Sequence, residues 1–174
     1  MSLNVTDQPF RYLGEFDTGF FLKQLNAVSW EDYIDRQENR LGMQYTHTIP
    51  IVWDLNMKTI RRWPIYDLFE NEIQKVNELL TSVLGAGVIY TCVLTKLSAG
   101  KQIDLHYDDG KFFRNSSRVH IPVVTNAQTF FQVGDEVVNM KVNEMWEICN
   151  HGMLHGTYNN GTTDRIHLMF DWVY

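Results

Sequence analysis

The alternation of apolar and polar side chains from Val88 to the end of the chain is the feature that most restricts its fold. Residues that favour strands recur there with a period of two, the spacing at which a β-strand buries one of its faces. The segments VIYTCVLTKL, RVHIPVVT and RIHLMFDWVY follow this pattern, and turn-forming residues separate them from shorter segments of the same kind. Six or seven such strands predict a sandwich or a jelly-roll barrel.

The first half of the chain has helical periodicity instead. A helix is predicted over Leu68–Leu84, because apolar residues recur there along one side: Phe69, Ile73, Val76, Leu80 and Val83. Gly85 follows at the position of a C-terminal cap, and Asp17 is placed to cap a shorter helix. The fold class is therefore mainly β with flanking helices, which we expect to pack against one sheet.

Length and composition restrict the class of protein further. A chain of 174 residues is long enough to bury a sizeable core, and we expect a single domain, 1–174. Within it, a mostly helical or irregular part, 1–87, is expected to pack on a jelly-roll core, 88–174. The apolar content of 44% excludes a disordered chain. The net charge of −6 lacks the basic footprint of a nucleic-acid-binding protein, so no nucleic-acid partner is expected.

Because the sequence shows no targeting or membrane signal, the cytoplasm is the expected compartment. No apolar run approaches the roughly 20 residues that a membrane span requires, so no membrane partner is expected. The N-terminus lacks the basic-then-apolar pattern of a signal peptide. The two cysteines, Cys92 and Cys149, lie in apolar, strand-like segments and are predicted to be buried free thiols.

Two candidate metal ligands stand two residues apart in the segment LHYDDG. In an extended segment alternate side chains share a face, so His106 and Asp108 point the same way and Tyr107 points away. An imidazole and a carboxylate are two of the three ligands of the 2-His-1-carboxylate facial triad, which holds Fe(II) and leaves open positions for substrate and oxygen. Taken alone the pair is a weak signal, because many such pairs are surface hydrogen bonds.

A facial triad requires a second histidine, and two candidates follow. His155 lies in the strand-like segment MLHGTY, whereas His151 lies between Asn150 and Gly152 in a turn-like segment. Metal ligands need stiff supporting elements, which favours His155. His151 is interpreted as a solvated loop histidine.

Arg165 follows His155 by ten residues and stands among apolar neighbours. Burying a guanidinium costs free energy unless an anion meets it, and a carboxylate matches its fork of N–H donors. That anion is either a protein acid, such as Asp164 or Asp171, or a ligand. Beside an Fe(II) site, the fitting ligand is a dicarboxylic keto acid with one end on the metal and the other on the arginine.

The strand RVHIPV carries two further groups that suit an anion. Arg118 and His120 share one face of this strand, whereas its apolar residues share the other. Two interpretations are open at this point. The polar face either binds an anion inside the barrel or is a cationic outer face exposed to water.

These motifs occur in an order that resembles the aspartyl/asparaginyl β-hydroxylase family of 2-oxoglutarate-dependent dioxygenases. The resemblance runs from about Thr91 to Trp172 and includes the strand RVHIP, the TN that follows it, the strand WEICN and the closing H…N…DRIHL. It implies a double-stranded β-helix, or jelly-roll, core, which agrees with the strand pattern. The first 90 residues carry no comparable motif.

Carried over residue by residue, the resemblance implies an Fe(II) centre with three ligands: His106, Asp108 and His155. It also implies four side chains around the cosubstrate 2-oxoglutarate: Arg165 at the distal carboxylate, with Arg118, His120 and Thr95 binding or orienting the rest. His167 alternates with Arg165 on the same strand. It either supports the site or, the more favoured interpretation, is a core histidine whose hydrogen bonds are satisfied.

The resemblance further implies an enzyme that uses O2 and 2-oxoglutarate to hydroxylate an amino acid, either within a peptide or protein or as a free small molecule. Arg61 and Arg62, followed by Trp63, are candidates for holding a carboxylated substrate, although a solvated basic pair is the simpler explanation. Two other classes are weighed against this one. They are a non-catalytic jelly-roll module that binds a metal or an anion, and a cupin-like metalloenzyme that does not use 2-oxoglutarate.

Overall fold

The structure is a computed structural model that describes residues 5–30, 45–54, 58–108 and 110–174. Within these residues ten strands are present. They are β1 (Phe10–Glu15), β2 (Thr46–Val52), β3 (Val88–Leu97), β4 (Lys101–His106), β5 (Ser116–Val124), β6 (Thr129–Val133), β7 (Glu136–Val138), β8 (Glu144–Ile148), β9 (His155–Asn159) and β10 (Arg165–Val173).

The strands form two antiparallel sheets. One has six strands in the order β1-β8-β5-β10-β3-β2, and the other has four in the order β4-β9-β6-β7. Phe131 and Val133 of the smaller sheet pack with Ile148 of the larger one, so the two sheets face each other. This arrangement confirms the predicted jelly-roll class.

Two α-helices accompany the sheets in the described part of the chain, α1 (Gly19–Gln24) and α2 (Tyr66–Leu84). The apolar side of α2 packs in one core cluster with strands of the larger sheet, as predicted. The helix begins two residues earlier than expected, and its last turn buries Leu84 while Val83 is 40% exposed. Gly85 ends the helix with a φ of 95°. The helix α2 is not apolar enough to cross a membrane, nor is any other described helix long enough.

Alternate side chains of β10 lie on opposite faces of the strand, one face in the core and the other between the two sheets. Four of its residues join the cluster beneath α2: Ile166, Leu168, Phe170 and Trp172. The residues between them lie on the opposite face, which the smaller sheet covers. The neighbouring strand β5 repeats this division, with Val119 and Ile121 on the helix side. The period of two therefore gives each strand an apolar outer face under α2 and a polar inner face between the sheets.

The first half of the chain contributes more β-structure than expected. Strand β1 pairs with β8 and strand β2 pairs with β3, so both edges of the larger sheet come from residues before Val88. Pro50 weakens the prediction of a strand at β2 from the sequence. An edge strand nevertheless tolerates proline, because one of its sides has no partner strand. Residues 31–44, part of the segment that we expected to be irregular, lie outside the described residues. Both cysteines are free and buried, as predicted.

Candidate metal and anion site

The two histidines favoured as metal ligands lie opposite each other on adjacent strands. His106 is the last residue of β4 and pairs with His155, the first residue of β9, and their ring centroids are 4.3 Å apart. Nδ1 of His106 is 2.7 Å from the backbone oxygen of Asp104, and Nδ1 of His155 is 3.4 Å from that of Met153. With the proton on Nδ1, each imidazole directs an unprotonated Nε2 into the space between the sheets.

Asp108 completes this cluster from just beyond the end of β4. Its Oδ1 is 3.8 Å from Nε2 of His106, and its Oδ2 is 3.9 Å from Nε2 of His155. The three residues each offer one ligand atom, and these atoms lie within 4.8 Å of one another. Two imidazoles and one carboxylate at this separation fit a single divalent transition-metal ion. His151, the competing candidate, is not in the cluster.

The protonation states of these side chains suit a metal ligand set. Burial lowers the pKa of His155 to about 4, so its ring is neutral near pH 7. Burial on its own would raise the pKa of Asp108. The Arg118 guanidinium, together with His155, the hydrogen bond from Asn150 and His106, outweighs that effect and holds this pKa well below its ordinary value. His155 and Asp108 are therefore a neutral imidazole and an ionised carboxylate, the forms that coordinate metals.

Arg118 lies inside the barrel, and the interpretation of it as a water-exposed outer group is wrong. Its side chain is buried between Asp108 and Asp171 and donates hydrogen bonds to both carboxylates. The Phe113 ring lies against it, with 4.9 Å between the guanidinium carbon and the ring centroid. Its three donor nitrogens thus contact protein acids, and the expected cosubstrate role of Arg118 stays a prediction.

Arg165 has the opposite environment. Its side chain is 2% exposed, and within the described residues its one hydrogen bond runs from Nη2 to Nδ1 of His167 at 2.6 Å. Neither acid proposed as the partner of Arg165 contacts it. Asp171 binds Arg118 instead, and Asp164 accepts a hydrogen bond from the backbone of Ala99. Burial lowers the pKa of Arg165 to about 9. A buried cation that meets no acid among the described residues fits an anionic ligand.

One cavity between the sheets joins this arginine to the metal cluster. It is lined by the three ligand candidates, by Arg165 and Arg118, and by His120 and Thr95. Both ring nitrogens of His120 lack a hydrogen-bond partner among the described residues, although the ring is only 5% exposed. The hydroxyl of Thr95 contacts the backbone oxygen of His167 at 3.5 Å. The cavity thus brings together all seven predicted site residues.

The cavity also has contributors that sequence patterns did not indicate. Thr46 and Thr48 of β2 line it, and Asn150 donates from Nδ2 to Oδ2 of Asp108 at 3.1 Å. Asn150 precedes His151 in the sequence, but the spacing of residues does not indicate that its amide binds a carboxylate as distant in sequence as Asp108. Conversely, Arg61 and Arg62 are absent from the cavity lining, and each guanidinium stacks on an aromatic ring of its own segment.

Comparison with protein families gives one match. The sequence model described as "Aspartyl/Asparaginyl beta-hydroxylase" matches residues 36–174, so the similarity begins well before Thr91, where the motifs first become recognisable. Comparison with curated proteins by sequence gives no match.

Comparison with solved structures gives the same fold at low sequence identity. A prolyl hydroxylase from Trichoplax adhaerens, solved with a hypoxia-inducible-factor peptide fragment, has a TM-score of 0.61 at 10% identity and covers 96% of this chain and 84% of its own. A viral collagen prolyl hydroxylase from Paramecium bursaria Chlorella virus-1, in complex with 2-oxoglutarate, has a TM-score of 0.61 at 8% identity and covers 96% of both. HygX from Streptomyces hygroscopicus, with nickel and 2-oxoglutarate bound, has a TM-score of 0.59 at 13% identity and covers 95% and 82%.

Proposed function

Because the chain belongs to the aspartyl/asparaginyl β-hydroxylase family, we propose that His106, Asp108 and His155 hold its Fe(II) and that Arg165 binds the distal carboxylate of 2-oxoglutarate. Membership makes the chain a 2-oxoglutarate-dependent hydroxylase. The cavity supports the roles of the individual residues. The observation that carries them is a buried arginine that contacts no acid of the described residues and that lines the same cavity as a His-Asp-His cluster.

The ligand set fits Fe(II) by its chemistry. Neutral imidazole and carboxylate are the donors of the facial triad, and the three candidate ligands come from the adjacent strands β4 and β9 and from the segment just beyond β4. When bound, Fe(II) with 2-oxoglutarate and O2 supplies the oxidising power that inserts oxygen into a C–H bond while 2-oxoglutarate is converted to succinate and CO2. The protein supplies orientation and the exclusion of water.

Arg165 orients the cosubstrate from the deep end of the cavity. Its position on β10 fixes the backbone, and the hydrogen bond to His167 fixes the plane of the guanidinium. A dicarboxylate bound in this cavity would place its distal carboxylate on this cation and so offset the burial cost that Arg165 otherwise carries. His120 and Thr95 line the wall between these two points and offer polar atoms to the bound acid.

The proposed substrate is an amino-acid side chain within a peptide. The fold neighbour from Trichoplax adhaerens was solved with a peptide fragment, which supports this choice over a free amino acid. Succinate release in the presence of a peptide pool, compared with a mixture of free amino acids, measures the preference. We expect the peptide pool to stimulate turnover, and stimulation by the free amino acids alone would contradict it.

The residue roles are tested by a spectrum that does not depend on the substrate. Anaerobic protein with Fe(II) and 2-oxoglutarate is expected to develop a weak visible charge-transfer band. His106→Ala is expected to abolish both the band and metal binding, because it removes one of three ligands. His151→Ala is the matched control and should leave both intact, since His151 lies outside the cluster.

The outcomes separate the competing classes. A band in wild-type protein that never leads to succinate with any substrate would favour the non-catalytic binding module. Turnover that is independent of 2-oxoglutarate would favour a cupin-like metalloenzyme of another reaction type. A band that survives in His106→Ala would refute the ligand assignment.

A further inference from the structure

A chain of three buried charged side chains connects the candidate metal site to strand β10. It runs from Asp108 through Arg118 to Asp171, and these residues are 3%, 9% and 1% exposed. Only the first of them belongs to the metal cluster. The last one lies on the inner face of β10 and contacts no ligand candidate in the interactions of the described residues.

Asp171 determines the orientation of the Arg118 guanidinium. The two residues are direct partners in the β5–β10 ladder. Nε of Arg118 donates to Oδ1 of Asp171 at 2.8 Å, and Nη2 donates to Oδ2 at 3.2 Å. Because a guanidinium is planar, a carboxylate that engages two of its nitrogens fixes the direction of the third. Phe113 lies over the group and further restricts its rotation.

That third nitrogen, Nη1, donates to Oδ2 of Asp108. Asp108 follows the end of β4, so the strand ladder does not hold its side chain in place. Among the described residues, Arg118 and Asn150 support it by donating to the same oxygen, Oδ2, and its backbone N–H donates to the oxygen of Asn150 at 3.1 Å. With Oδ2 held in this way, Oδ1 is directed towards His106.

We propose that Asp171 is a positioning residue that aims the metal ligand Asp108 through Arg118. This inference rests on the proposed metal site. It gives the arginine of the RVHIP strand a task different from the cosubstrate binding implied by the resemblance. The competing explanation is that the Arg118–Asp171 pair only joins β5 to β10. The two explanations differ in whether metal affinity depends on Asp171.

The test compares two acid–arginine pairs of the same sheet, each with a buried acid. Asp171→Asn removes the charge that fixes Arg118, and Glu147→Gln removes the charge of the acid that pairs with Arg11 on β1, a pair outside the Asp108–Arg118–Asp171 chain. The readout is the Kd for Fe(II), measured anaerobically by competition with a chromophoric chelator. We expect Asp171→Asn to weaken metal binding by roughly 10- to 100-fold, the usual effect of losing a partner that orients a ligand. Glu147→Gln should change this Kd by less than about twofold, whatever it does to the melting temperature.

A second variant keeps the test decisive if Asp171→Asn does not fold. Arg118→Lys retains one positive charge but lacks the planar fork that bridges both acids, so the same loss of metal affinity is expected. Wild-type metal affinity in a folded Asp171→Asn or Arg118→Lys protein would overturn the inference, as would an equal loss in Glu147→Gln. Failure of wild-type protein to bind Fe(II), or unchanged binding in His106→Ala, would instead refute the proposed metal site itself.

Discussion

The two buried arginines of the cavity should respond in opposite ways to the same substitution. Arg118 is enclosed by two carboxylates, whereas the described contacts of Arg165 include none. Replacement of each by Met keeps an apolar chain of similar length and removes the charge. The apo protein then reveals which cation the fold depends on, and the 2-oxoglutarate complex reveals which one the cosubstrate depends on.

The expected stability changes follow from what each substitution leaves behind. Arg118→Met removes the guanidinium that the buried carboxylates of Asp108 and Asp171 share, and breaking a buried pair from one side costs about 3–5 kcal/mol. For a chain of this size each kcal/mol is worth roughly 2–4 °C, so the melting temperature should fall by about 6–20 °C. Arg165→Met removes a charge that burial already penalises, at the expense of one hydrogen bond worth about 1 kcal/mol. Its melting temperature should stay within a few degrees of the wild type or rise.

The cosubstrate affinity should show the reverse order. Loss of one side of a buried, charged hydrogen-bond pair costs about 2–5 kcal/mol, and 3 kcal/mol corresponds to roughly 100-fold in Kd. Arg165→Met should therefore raise the Kd for 2-oxoglutarate by about two orders of magnitude, while the Kd for Fe(II) stays unchanged. Differential scanning calorimetry of the apo proteins and anaerobic titration with 2-oxoglutarate measure the two effects. A large loss of apo stability in Arg165→Met, or unchanged 2-oxoglutarate affinity, would refute the distinction between the arginines.

Two further predictions concern pH and backbone packing. Burial lowers the pKa of both His120 and His167 well below the ordinary value, so the folded protein keeps them neutral while the unfolded chain binds protons below about pH 6.5. These histidines should therefore leave the free energy of unfolding unchanged above that pH, and each should lower it by roughly 1.4 kcal/mol per pH unit below it. Urea unfolding of His167→Gln at several pH values should show a smaller dependence of this free energy on pH. A slope identical to wild type would contradict this. Gly156→Ala should weaken Fe(II) binding, because its Cβ would lie 2.7 Å from a backbone oxygen of β4 and separate the strands that carry the ligands. Gly14→Ala, which strains β1 at a φ of 121°, should lower stability without this effect, and equal metal affinity in both variants would count against a role for this close packing.

Much of the barrel could be predicted because its strands are amphipathic. The limits of β3 were predicted to the residue, and β10 to within one, since a strand between a helix layer and a cavity must alternate in polarity. The edge strand β2 lacks that signal, because its last five residues are all buried and contain a proline. Strand β1 was missed for a different reason. Gly14, with its positive φ, shifts the register of β1 against β8 and breaks the period of two.

The site residues were predicted as a set, but their pairing depends on register. The sequence indicates that Arg118 and His120 share a face, and it does not indicate which acid stands opposite. The ladder between β5 and β10 places Asp171 opposite Arg118 and Met169 opposite His120. A shift of two residues along either strand would have preserved every polarity rule and changed every ion pair.

One pairing, however, is excluded by the spacing of residues along a single strand. Asp171 and Arg165 lie on the same face of one predicted strand, six residues apart, which at about 3.3 Å per residue is roughly 20 Å. Side chains that project side by side from one strand cannot bridge that distance, so Asp171 could never be the counter-charge of Arg165. The other acid considered, Asp164, immediately precedes Arg165, and in an extended segment adjacent side chains point to opposite faces. Strand geometry thus argues against both of these acids as the counter-charge of Arg165, which is consistent with the proposal that its anion is the cosubstrate.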